Sequence, residues 1–125
     1  MQDEKHVILC IDDDQDVRLM MQTVLEANNY VVKLASSAEE GIKTAKDVNP
    51  DLIIVDLMME EVDAGTNFVK EMQRLDNEAP IYMLSSVGDN LTLATDYTDL
   101  GLAGVFQKPL DNDRLLKVIK EKLGE

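Results

Sequence analysis

The residues that could do chemistry in this chain stand at the ends of short apolar runs. Asp12-Asp13-Asp14 follows the run over 7–11, Asp56 follows 52–55, Ser85-Ser86 follows 81–84, and Lys108-Pro109 closes the segment that begins Gly104-Val105-Phe106. Singly, each has an ordinary explanation. An Asp after a strand commonly caps the next helix, and Asp14 or Gln15 is placed to start one. A Ser there is a common turn residue, and most lysines are simply solvated. Jointly they put three carboxylates, a hydroxyl and an ammonium at one kind of position. Two carboxylates about 4 Å apart repel by roughly 4 kcal/mol at an effective dielectric of ~20. Lys108 offsets Asp12, Asp13 and Asp56 only in part, so either a carboxyl keeps a proton or a hard cation enters. An all-oxygen donor set without His or Cys suits Mg2+. A bound Mg2+ beside a lysine and a hydroxyl would receive a phosphoryl group, and a free Asp carboxylate could be the nucleophile, giving an aspartyl phosphate.

The elements that must position these groups can be read from hydrophobic periodicity. The runs over 7–11, 30–34, 52–55, 81–84 and 104–106 are mostly continuous rather than alternating, as strands covered on both faces are. Between them, Val17, Met20, Met21, Val24 and Leu25 repeat at helical spacing, as do Phe68, Val69, Met72 and Leu75, and Leu115, Val118, Ile119 and Leu123. Ser37-Ala38-Glu39-Glu40 is a capping-box pattern that starts another helix. Five β-α units in succession imply a mostly parallel, right-handed sheet with helices on both faces. Such sheets bind ligands at the carboxyl ends of their strands, near a topological switch point, which is where the polar residues above fall.

Composition narrows the class further. The 125 residues suit one compact domain, and 45% apolar content is too high for a disordered acidic tail. With 25 acidic against 12 basic residues the net charge is -13, which argues against direct binding to nucleic acid or an anionic membrane. A lone Cys10 suits a reducing cytosol, and the first apolar run is too short for a signal peptide or a membrane span. The expectation is a small, acidic, cytoplasmic domain.

The chain resembles the receiver domains of two-component response regulators over essentially its whole length. The matching segments are Ile8-Leu9-Cys10-Ile11-Asp12-Asp13-Asp14, the stretch 50–59 that ends Asp56-Leu57-Met58-Met59, the stretch 80–86 that ends Ser85-Ser86, and Gly104-Val105-Phe106-Gln107-Lys108-Pro109. The resemblance implies a flavodoxin-like, doubly wound five-stranded parallel sheet of order 2-1-3-4-5 with five helices, and one receiver domain over 1–125 with no output domain. It implies that Asp56 accepts a phosphoryl group from the phosphohistidine of a sensor histidine kinase or phosphotransfer protein. Asp13, Asp56 and the backbone carbonyl of Met58 would ligate Mg2+, with Asp12 acting through a bound water. Ser85 and Lys108 would contact the phosphoryl oxygens, and the Lys108-Pro109 bond resembles the family's cis peptide. A downstream protein would dock on the fourth helix, fifth strand and fifth helix.

Several positions depart from the family pattern. Glu60 stands where a proline is usual, and Gly65 comes one residue late, which implies a reshaped, more acidic loop. Val105 replaces the Tyr or Phe whose rotation carries the signal in many receivers, so the loop over 86–90 is expected to carry it instead, while Phe106 faces the core. Met58 and Val87 flank the path of the hydrolytic water and cannot position it, which implies a long-lived phosphoryl group and at most slow autodephosphorylation. Two rival readings fit part of the pattern. A Mg2+-dependent phosphohydrolase of the haloacid dehalogenase type would use Asp12 as nucleophile and Asp14 as acid/base, but Gln15-Asp16 replaces its usual small pair and Asp56 is left without a role. A non-phosphorylated pseudo-receiver usually lacks the acceptor Asp or the Lys, and this chain has both.

Overall fold

A computed structural model describes residues 6–56, 71, 79–86, 103–108 and 111–124, with the backbone alone at 38, 85, 86, 105, 107 and 108. Strands β1 (Val7–Ile11), β2 (Val31–Ala35), β3 (Leu52–Asp56), β4 (Ile81–Ser86) and β5 (Gly104–Lys108) form one sheet of order β2-β1-β3-β4-β5. All four pairings are parallel. Three helices, α1 (Gln15–Glu26), α2 (Ala38–Val48) and α3 (Asn112–Leu123), lie among the described residues. Of the helix expected over 68–75 only Glu71 lies among them, and the expected fourth helix lies outside them.

Continuous apolar strands follow from coverage on both sides, and the two faces have separate cores. On one face Leu9, Ile11, Ile53, Val55, Ile81 and Met83 pack with Ala45 and Ile42 of α2. On the other, Ile8, Cys10, Ile54, Tyr82, Leu84 and Phe106 pack with Met21 and Leu25 of α1 and Leu115 and Ile119 of α3. Adjacent strand residues alternate between these cores, as the pleat requires. Phe106 is buried, as expected, and its ring stacks on Tyr82 at 5.3 Å between centroids. Gly104 is the register partner of Tyr82, and a Cβ there would lie 2.9 Å from that ring, so the stack requires a residue without a side chain.

Local signals fix the element ends. Asp14 caps α1 by accepting from the Asp16 N–H at 2.9 Å, and Asp111 caps α3 in the same way through Asp113 and Arg114. Ser37 caps α2, while Glu40 reaches back to the Ser36 N–H at 2.6 Å, one residue beyond the usual capping-box target. Asn29, after α1, and Asn49, at the end of α2, take positive φ, the conformation that Asn tolerates best after Gly. At the opposite edge of the sheet from the polar residues, the Val7 N–H donates to Asp51 Oδ2 and the Asp51 N–H donates to the Val7 carbonyl, both at 2.8 Å. This double link sets the register of β1 against β3.

Candidate functional site

Order β2-β1-β3 puts the topological switch point between β1 and β3, whose carboxyl ends carry the acidic residues. Asp12 follows β1, Asp13 is the next residue, and Asp56 is the last residue of β3. One carboxylate oxygen from each lies within 4.8 Å of the others. Asp12 is fully buried and Asp56 is 3% exposed, while Asp13 faces solvent. Asp12 Oδ1 accepts from the Asp14 N–H at 2.8 Å, and the Asp12 N–H donates to the Ala35 carbonyl at 3.1 Å. Three carboxylates at this spacing, two of them withdrawn from water, concentrate negative charge where it is least screened. Hard oxygen donors around an open exposed edge are a donor set that fits Mg2+, which keeps several of its waters.

The backbone brings the other expected residues to the same end of the sheet. Asp56 pairs in register with Leu84, so Ser85 is one residue beyond the end of β3 on the neighbouring strand. Ser86 pairs with Lys108 on β5. The side chains of Ser85, Lys108 and Val105 are outside the described residues, as are Met58, Glu60, Gly65, Val87, Pro109 and most of the loop over 86–90. Asp14 is spent on capping α1, which removes it from the acid/base role that a phosphohydrolase would need. One residue was not singled out from the sequence. Arg18, in the first turn of α1, donates from Nη1 to the Asp12 carbonyl at 2.6 Å. Its signal was an unfavourable one, a cation set against the positive end of a helix dipole beside an acidic loop.

The fold and the acidic cluster define a class, a doubly wound α/β domain with an all-oxygen pocket at its switch point. Residues 8–120 match the model of the response regulator receiver domain, and the chain belongs to that family. It is 32% identical over 120 residues to the chemotaxis protein CheY of Bacillus subtilis, covering 95% of this chain and 98% of that protein. The structure of chemotaxis protein CheY4 of Vibrio cholerae superposes with a TM-score of 0.85 at 27% identity, covering 94% of this chain and 98% of that one. A CheY-like receiver from Methanospirillum hungatei gives 0.87 at 25%, covering 97% and 95%. Larger relatives are matched in part: the chain spans 33% of the probable transcriptional regulator ycf27 of Guillardia theta and 25% of AtoC of Escherichia coli. The chain is therefore a receiver domain of two-component response regulators, a family of signalling domains typically phosphorylated on Asp. Members bind Mg2+ at an acidic pocket and interact with histidine kinases or phosphotransfer partners. Among the described residues, no helix is long and apolar enough to cross a membrane.

Proposed function

We propose that Asp56 is the phosphoacceptor of this receiver and that Asp13, Asp56, the Met58 carbonyl and, through a water, Asp12 hold Mg2+. The observation that carries the reading is the approach of the Asp12, Asp13 and Asp56 carboxylates to within 4.8 Å at the switch point. Asp56 Oδ forms a bond to phosphorus as the P–N bond of a kinase phosphohistidine breaks, and the bonding pair returns to the imidazole nitrogen. When bound, Mg2+ neutralises charge on the transferring phosphoryl oxygens. Lys108 pairs with one of those oxygens and Ser85 donates to another. The product carries roughly two added negative charges, and it shifts the domain toward the arrangement that stabilises them best.

In this reading residues 1–125 act as one cytoplasmic receiver domain that is a switch rather than an enzyme, with no direct contact to nucleic acid or membrane. Its downstream protein docks on β5, α3 and the helix expected between β4 and β5. Support for that face comes from Arg114, Lys117, Lys120 and Lys122, which are exposed along α3 in a chain of net charge -13. The test is intact mass after incubation with a small phosphodonor and Mg2+. A single Mg2+-dependent phosphoryl adduct that vanishes in Asp56→Asn is expected. An adduct that survives Asp56→Asn but is lost in Asp12→Asn would overturn the assignment. Absence of any adduct despite Mg2+ binding would favour a pseudo-receiver.

A further inference from the structure

We infer that Arg18 is a positioning residue for the Mg2+ site, an inference that rests on the metal-site reading above. Consecutive residues of an extended strand project to opposite faces. Asp12 and Asp13 can serve one pocket only because the backbone leaves β1 after Ile11 and bends at Asp13. The peptide unit between them therefore decides where the two carboxylates point. The Asp12 carbonyl is the oxygen of that unit, and Arg18 Nη1 holds it at 2.6 Å. A charged donor makes this a stronger restraint than a neutral hydrogen bond would.

The contact belongs to a wider network of hydrogen bonds. The Asp12 N–H donates to the Ala35 carbonyl at 3.1 Å, and the next residue, Ser36, donates to Glu40 Oε1 through its N–H at 2.6 Å and its hydroxyl at 3.0 Å. These Ser36 bonds chiefly, and the charge of Arg18 to a lesser degree, favour the ionised form of Glu40. The end of β1 and the β2–α2 loop are thus fastened to each other through the Asp12 N–H, one peptide unit before the oxygen that Arg18 holds. Arg18 touches the metal loop through backbone rather than through a carboxylate, which makes its role orientation and not charge neutralisation.

That distinction fixes the sign of the test. A cation removed from beside an acidic pocket should tighten Mg2+ binding if charge alone mattered. Removal of a positioning contact should weaken it, by about 10-fold if it acts as outer-shell partners of metal ligands do. Mg2+ is titrated calorimetrically into wild type, Arg18→Gln and Arg18→Lys, alongside thermal unfolding of each without metal. The expected order of affinity is wild type, then Arg18→Lys, then Arg18→Gln, with unfolding midpoints close together. Arg18→Gln binding as tightly as wild type, or tighter, would overturn the inference, and so would a lowered midpoint with unchanged affinity. Should Arg18→Gln not fold, Arg18→Lys decides: weaker binding supports the role and wild-type binding overturns it. A wild type that binds no Mg2+ would overturn the metal site, and the role of Arg18 with it.

Discussion

Cys10 lies in the middle of β1 with its thiol closed off from solvent, and burial, with a smaller contribution from the charge of Asp12, pushes its pKa up to about 12 from the usual 9.0. Thiolate is the reactive form, so the folded protein should resist alkylation at pH 8.5 and react promptly in urea, as read by mass. The same shift has a signed effect on stability. Well below pH 9 the thiol is neutral in both states. Between about 9 and 12 the unfolded chain gives up a proton that the folded chain retains, so stability falls as pH rises. The loss of urea midpoint from pH 8 to pH 10 should be smaller in Cys10→Ala than in wild type. From sequence, Cys10 could be read only as unpaired. Its depth depends on α1 and α3 covering β1, which a single run of residues does not reveal.

At the scale of elements, the entry to α2 joins helix capping to the loop beside the acidic cluster. Hydrogen bonds from the Ser36 N–H and then its hydroxyl hold Glu40 below the usual carboxylate value of 4.5. A depressed folded value means the contribution is present above the unfolded value and fades as pH falls through the folded one. Glu40→Gln should therefore lower the urea midpoint at pH 7, and its difference from wild type should shrink to nothing as acid protonates Glu40. The capping box at Ser37 was legible in the sequence, as were the start and periodicity of α1 and the burial of Phe106. What was not legible is the one-residue displacement of the Glu40 contact to Ser36, which depends on how β2 delivers the chain to α2. The guanidinium of Arg18 was missed for a related reason, since its partner is a backbone carbonyl and no side-chain pattern marks it.

Taken as a whole molecule, the protein is organised around β3, buried at every position and flanked by β1 and β4. Ile54 is fully buried among residues of β1, β4, α1 and α3. Ile54→Ala should cost about 2–5 kcal/mol, a large part of the 5–15 kcal/mol typical of a domain, and urea unfolding would measure it. The sheet order and the gathering of Asp12, Asp13 and Asp56 were both anticipated. Continuous apolar runs report strands covered on both faces, and the polar residues all fall at their carboxyl ends. The family resemblance supplied the strand order, which no local pattern contains.

The parallel neighbours β1 and β3 are joined through all of α1, β2 and α2. Asp13 is thus synthesised well before Asp56 exists beside it. The cation pocket cannot form piecemeal: it appears only when the crossover has closed and β3 has docked. Competence to take up a metal therefore reports completion of the sheet's centre, and an immature chain with only its first half in place offers a kinase no finished target.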